Sequence, residues 1–206
     1  MSGLRERRSR LLAGALAGMA AASLSGCGLG GYFRTQPKPL GSEGDWAEKR
    51  ERASRATQVY DRLGANAFVN AVHLTLEVRE ARVARLATWQ ALTAEERDKL
   101  LAAERAEAGQ FEDFMVSLFT PDRGANDLDA PKSIWRVALV VPGAGEALPD
   151  RIEQVKADAT LRALYPEFTE YDTVYRVRFG KAKVSVEGRA FTLRLAGAKG
   201  RADLNF

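Results

Sequence analysis

Alternating apolar and polar residues dominate the second half of the chain. Five segments alternate in this way: 111–119, 133–141, 173–179, 183–188 and 191–197. A period of two places the apolar side chains on one face of a β-strand, and one buried face beside one wet face is typical of antiparallel sheet. Turn-forming residues separate the segments, as at Pro142-Gly143-Ala144-Gly145. The pattern therefore predicts five strands in this half.

Two further strands are predicted earlier in the chain. Residues 57–63 and 67–75 are rich in β-branched and aromatic side chains, and Gly64 lies between them as a breaker. The total of about seven short antiparallel strands predicts a β-sandwich.

Helical signals surround these two strands. Asp45 and Glu48 have the spacing of a capping box and predict a short helix from Trp46 to about Ala53. Thr75 is placed to cap a helix through Leu92, and Thr93-Ala94-Glu95-Glu96 begins a second one. The expected fold is thus mainly β with an α insertion: a single sandwich domain over 46–206 that contains a helical pair at about 75–110.

The N-terminus has the organisation of a secretion signal. The first ten residues are basic, and the next fourteen, Leu11 to Leu24, are apolar or small. A membrane-spanning helix needs about 20 apolar residues, so this run is too short to span and is typical of a cleaved leader. Residues 1–26 are predicted to be the signal peptide. Residues 27–45, rich in glycine and proline, are predicted to be a flexible tether.

The four residues Leu24-Ser25-Gly26-Cys27 hold the only cysteine of the chain. They resemble the lipobox of bacterial lipoproteins. The resemblance implies cleavage between Gly26 and Cys27, attachment of diacylglycerol to the Cys27 sulfur and acylation of the new amino group with a fatty acid such as palmitate. Each buried CH₂ contributes about 0.8 kcal/mol, so several acyl chains anchor a protein stably. Gly28 after the cysteine resembles lipoproteins of the outer membrane, which implies a periplasmic location in the cell envelope.

The charge of the mature chain differs from that of the whole sequence. The chain has 31 basic and 27 acidic residues, a formal balance of +4. Four arginines opposed only by Glu6 precede Cys27, so the chain from Cys27 onward has 27 basic and 26 acidic residues, a balance of +1. We therefore expect no nucleic-acid partner. The expected partners are the membrane, through the lipid anchor, and an envelope protein or glycan.

A late group of basic residues has two interpretations. They can bind lipopolysaccharide phosphate or another anion, or they can form the wet face of edge strands, where charge discourages aggregation. We favour the second interpretation for the group, which comprises Lys181, Lys183, Arg189, Lys199 and Arg201.

Catalytic and metal-binding signals are sparse. His73 is the only histidine, and no serine lies in a G-x-S-x-G motif. His73 is interpreted as a packed or surface residue. A calcium site in the loop 120–131 is less favoured than Asx turns, because its acidic residues lack the spacing of a calcium loop. No cofactor, no metal and no enzymatic activity are predicted.

The segment 165–175 is the candidate ligand site, because aromatic residues that interleave with carboxylates can stack on and hydrogen-bond a sugar. In the alternative interpretation, the aromatic residues anchor a long loop over the core. The candidate residues are Tyr165, Glu167, Phe168, Glu170, Tyr171 and Asp172.

The favoured function is that of a membrane-anchored, non-enzymatic binding or structural module. Two alternatives stay open: an envelope glycan hydrolase, which needs two carboxylates about 5–9.5 Å apart in a cleft, and an accessory subunit of an outer-membrane assembly, which needs an exposed apolar patch of several hundred Å².

Overall fold

The computed structural model describes residues 44–61 and 64–206. The signal peptide, Gly26, Cys27 and nearly all of the predicted tether lie outside these residues. The helices are α1 (Gly44–Arg52), α2 (Leu76–Trp89), α3 (Ala94–Gln110) and α4 (Ala159–Leu164). The strands are β1 (Ser54–Asp61), β2 (Gly64–His73), β3 (Phe111–Phe119), β4 (Trp135–Val141), β5 (Gly145–Ala147), β6 (Arg151–Val155), β7 (Thr173–Gly180), β8 (Thr192–Gly197) and β9 (Gly200–Asn205).

The strands form two antiparallel sheets, so the prediction of a mainly β, sandwich-like fold with a helical pair is confirmed. One sheet has the order β1-β2-β3-β7-β6 and the other β5-β4-β8-β9. The helical pair α2–α3 joins β2 to β3, which are neighbours in the first sheet. The described residues contain nine strands where about seven were expected.

One predicted strand is wrong. Residues 183–188 lie in a loop with a turn at each end. The amides of Lys183 and Val184 donate to the carbonyl of Gly180, and the amide of Arg189 donates to the carbonyl of Val186. Gly188 also adopts φ +67°, a left-handed conformation that suits a turn. The chain between β7 and β8 is therefore a loop, and we refer to residues 181–190 as the 181–190 loop.

The predicted capping box at the first helix is also wrong. α1 begins at Gly44, so Asp45 lies in its first turn and not before it. The Asp45 carboxylate lies 3.2 Å from Lys49 Nζ, one turn further along. The two later caps are confirmed: Thr75 Oγ1 accepts from the Val78 amide, and Thr93 and Glu96 form the reciprocal capping box of α3.

The core has two parts on opposite faces of the five-stranded sheet. The first fills the space between the sheets and includes Phe114, Tyr175, Leu139 and Leu193, all fully buried. The second lies on the outer face of the five-stranded sheet and gathers apolar residues from α1, α2, β3 and the end of α4. The five-stranded sheet is therefore covered on both faces.

A buried charge network holds the helical pair against this outer face. Asp113 of β3 and Arg79 of α2 are both fully buried, and their side chains lie 2.5 Å apart. Asp113 also accepts from Arg176 at 2.6 Å and Arg178 at 2.9 Å, both from β7. Arg79 also donates hydrogen bonds to the Leu74 carbonyl and to two glutamates of α3. The buried charges of Asp113 and Arg79 are tolerated because the ion-pair partners of each are of opposite sign.

The α3 helix depends on these charges because it contributes no buried residue among its seventeen. Glu104 Oε2 accepts from Arg79 at 2.7 Å, and Glu104 Oε1 accepts from Arg82 at 2.5 Å. Glu107 contacts Arg79, Arg176 and Arg178. Burial opposes the ionisation of Asp113, but its three arginine partners hold its pKa below the ordinary value.

Asp113→Asn tests this network. The substitution preserves shape but leaves three arginines facing a neutral amide, so we expect unfolding to become easier by about 3–5 kcal/mol. Urea denaturation at pH 7 measures the difference.

Asp98→Asn is the matched control, since Asp98 lies on the same helical pair and its ion pair with Arg97 is at least half exposed. We expect the control to shift stability by less than about 0.5 kcal/mol. Equal urea midpoints for the two variants would show that the network does not hold the helices.

Candidate functional site

The candidate site is built around His73, the last residue of β2. Here the chain leaves the sheet and turns into α2, and the His73 side chain is held by aromatic rings. Its imidazole stacks on Phe114 with ring centres 4.7 Å apart, and it meets the edges of Phe191 and Phe206 at 5.3 and 6.0 Å. Phe191 and Phe206 in turn stack on each other at 5.1 Å. The imidazole is thereby fixed in one orientation.

A buried carboxylate holds the other side of the imidazole. Glu112 is 5% exposed, and its Oε2 lies 3.0 Å from His73 Nε2. Its second oxygen lies 3.5 Å from Lys181 Nζ, in the 181–190 loop. Burial raises the pKa of Glu112, but the hydrogen bond and charge of His73 and the charge of Lys181 outweigh burial and lower it overall. Glu112 is therefore ionised at neutral pH.

Two clefts meet at this residue. The first encloses about 550 Å³ between α3 and the 181–190 loop, and Leu76, Ala108, Val186 and Lys181 are among its lining residues. The second encloses about 250 Å³ beside α1 and the start of β1. His73, Thr75 and Phe191 line both clefts. The volume of the first cleft lies within the range of small-molecule sites, and the second cleft is smaller.

The two clefts differ in charge. Arg105 and Lys181 face Glu112 and Glu187 in the first cleft, so the charges balance. The charged lining of the second cleft has three cations and one acid: Lys49, Arg52, Arg55 and Glu77. The second cleft is thus the cationic end of the site.

Arg55 differs from the other cations of the second cleft. Its Nε donates to the Asn205 carbonyl at 2.6 Å, and its Nη1 donates to the carbonyls of Arg52 and Ser54. Its guanidinium lies 5.1 Å from the centre of the Phe206 ring. Within the described residues, its contacts are carbonyls and an aromatic ring, and none is a carboxylate. Its charge is therefore not neutralised by an ion pair there.

The predicted ligand segment is divided between core and solvent. Tyr165 and Phe168 are buried and stacked at 5.1 Å, and the edge of Trp46 meets Tyr165 at 5.6 Å. Glu167 pairs with Arg50 at 3.5 Å and is mostly buried.

The other three candidate residues of this segment lie nearer the surface. Asp172 accepts from the Thr169 amide, while Glu170 and Tyr171 are exposed. A ligand site formed by the six candidate residues stays a prediction.

Four of the five late basic residues are held in ion pairs, since Lys181 also pairs with Glu112 as described above. Lys199 Nζ lies 3.2 Å from Asp122, Lys183 pairs with Asp150, and Arg201 pairs with Asp203. Lys181 lies in the first cleft. Arg189 lines a separate cleft of about 500 Å³ between the 181–190 loop and the turn at Ala144–Ala147. The structure thus spreads these residues over different surfaces.

The acidic residues of the 120–131 loop make local hydrogen bonds. Asp122 accepts from the Gly124 amide at 3.1 Å, and Asp127 accepts from Ser133 Oγ and the Ile134 amide. Across residues 44–61 and 64–206, no group of three or more His, Cys, Asp or Glu side chains is arranged to hold a metal ion.

Comparison with known proteins gives no relative. The chain matches no protein family, no curated protein and no solved structure. Among the helices in the described part of the chain, none is both long and apolar enough to cross a membrane.

The sequence analysis interpreted His73 as a packed or surface residue and predicted none of the groups around it. Glu112, Lys181 and Arg55 come from distant parts of the chain and meet only in the fold. A local signal for Glu112 did exist, since a carboxylate within the predicted strand 111–119 falls at a position that faces the core.

Glu112→Gln tests the pairing at His73. Because the pKa of Glu112 is lowered on folding, its ionised form stabilises the protein above the unfolded pKa of about 4.3. This contribution is lost as pH falls through the folded pKa. We expect the variant to be less stable by about 1–3 kcal/mol at pH 7 and nearly equal to the parent near pH 2.5.

Urea midpoints at the two pH values check this expectation. Glu153→Gln is the control, because Glu153 lies in β6 and its ion pair with Arg151 is largely exposed. An undiminished difference at pH 2.5 would mean that Glu112 acts through its shape and not through its charge.

Proposed function

We propose that this chain is a lipid-anchored protein of the bacterial cell envelope whose sandwich domain is a non-enzymatic binding module. The observation that carries the proposal is the tetrad Leu24-Ser25-Gly26-Cys27 at the end of a leader-type segment. The clefts at His73 supply the binding surface.

The proposed anchor restricts where the domain acts. Sixteen residues separate Cys27 from Gly44, the first residue of α1. At about 3.3–3.6 Å per residue, this connection spans at most about 60 Å. The domain therefore works close to the membrane surface, on the periplasmic side if Gly28 directs sorting to the outer membrane.

The charge state of Glu112 favours binding over hydrolysis. A glycosidase needs a general acid whose pKa is raised so that it holds a proton at neutral pH. The pKa of Glu112 is instead lowered, because His73 and Lys181 outweigh the effect of burial. Burial raises the pKa of Glu167, but that side chain pairs with Arg50 and lines neither cleft at His73.

Cys27→Ser tests the anchor. Cells grown with labelled palmitate should incorporate label into the parent protein and none into the variant, because the thioether forms only at sulfur. Mass spectrometry of the native protein should show Cys27 as the acylated first residue. Membrane fractionation should place the parent with membranes.

Ser23→Ala is the matched control, because it changes the leader outside the tetrad and should leave labelling intact. An uncut leader or a bare thiol at Cys27 in the native protein would overturn the proposal.

A further inference from the structure

We propose that the two clefts at His73 form one site for an amphiphile with a single acidic head group and an apolar body. The head group, a carboxylate or phosphate, lies in the second cleft and the body in the first. This inference rests on the proposed function in taking the domain as a binding module, and it adds the class of ligand.

The location of the head group follows from charge. The second cleft places Lys49, Arg52 and Arg55 around a small volume with one acid, Glu77. Lys49 pairs with Asp45, and Arg52 pairs with Glu48 and with Glu77 of the cleft itself. These solvent-accessible pairs are weak enough to be exchanged for a ligand.

Among these cations, Arg55 is the one best placed to bind the acidic head group. It is held by three backbone carbonyls and by the Phe206 ring, and its charge has no carboxylate partner in the described part of the chain. A planar guanidinium fixed in this way is suited to carboxylate or phosphate.

The location of the body follows from the lining of the first cleft. Leu76, Val186 and Phe191 give it apolar surface, and its charged residues balance one another. Leu76, the first residue of α2, is 48% exposed, whereas Val78 and Val83 of the same helix are buried. An apolar group that covers such a side chain removes it from water, which favours binding.

The two clefts are connected by an aromatic floor, which consists of His73 and Phe191. His73 and Phe191 line both clefts, so a single ligand that crosses this floor occupies both. The balanced charges of the first cleft and the cationic excess of the second fix the direction of the ligand. A neutral body in the second cleft would leave Arg55 without a carboxylate partner within the described residues.

The experiment uses the chain from residue 27 onward with Cys27→Ser. Both parts of the core and the charge network lie within residues 44–206, so this chain contains the whole folded domain. Calorimetric titration compares four probes: dodecanoate, dodecyl phosphate, dodecanol and inorganic phosphate. The two charged amphiphiles are kept below their micelle concentrations and dodecanol below its solubility limit. The first two should bind, dodecanol should bind at least about tenfold more weakly, and phosphate alone should show no binding.

Two variants assign the ends of the site. Arg55→Gln should weaken dodecanoate about tenfold and leave dodecanol unchanged. Leu76→Asp should weaken both, and it should still fold because an acid is favourable in the first turn of a helix. Arg162→Gln, an exposed arginine of α4, is the control and should change neither. Rising salt should weaken dodecanoate but not dodecanol, a measurement that needs no variant.

Three results would overturn the inference. Equal affinity for dodecanoate and dodecanol would remove the head-group site, and phosphate binding as tightly as dodecyl phosphate would mean a site for free phosphate. Absence of binding by all four probes would remove the site altogether. None of these results affects acylation of Cys27, and loss of acylation does not affect these titrations, so the failures of the two proposals are distinguishable.

Discussion

The contact between Asp113 and Arg79 is the interaction on which the arrangement of this domain depends. Both side chains are fully buried, and a buried charge without its partner costs several kcal/mol. Asp113 belongs to the sheet and Arg79 to the helical pair, so the requirement for pairing fixes one against the other. Two arginines of β7 and two glutamates of α3 extend the network around them. Helix α3 buries no residue of its own, and it is positioned by charge more than by apolar contact.

The network determines the candidate site as well as the fold. Ala108 and Gly109 of α3 line one side of the first cleft, and α3 lies there because Glu104 and Glu107 meet the arginines. Glu112 precedes Asp113 in β3, so adjacent residues point to opposite faces of the strand. Asp113 pairs with the helical pair on the outer face of the sheet, and Glu112 pairs with His73 on the inner face. A single strand thus connects the rigid part of the domain to its cleft.

The position of the only cysteine means that no disulfide stabilises the described domain, which depends on its core and its ion pairs. Cys27 precedes the whole described domain, so the domain from residue 44 onward has no cysteine with which to form a disulfide. In an exported protein, such a domain is stabilised by its core and ion pairs alone. The two faces of the five-stranded sheet divide this task, with aromatic and aliphatic packing between the sheets and charge together with a smaller apolar cluster beneath the helices.

The sequence by itself determined the local elements whose signals lie within a few residues. The alternation at 173–179 and 191–197 identified β7 and β8, and Thr93 with Glu96 located the start of α3, because strand faces and helix caps are short-range properties. It failed at 183–188, where alternation without a neighbouring strand produced turns, and it missed β9, whose two buried residues Ala202 and Leu204 are too few to stand out. The leader and the acylation of Cys27 also come from sequence order alone, and they stay predictions. Only the tertiary structure brought Asp113 to Arg79, and Glu112, Lys181 and Arg55 to the surroundings of His73. Charge pairing and cleft formation join residues that are far apart in the chain, such as Glu112 and Lys181. No local pattern encodes which of many arginines a buried carboxylate will contact.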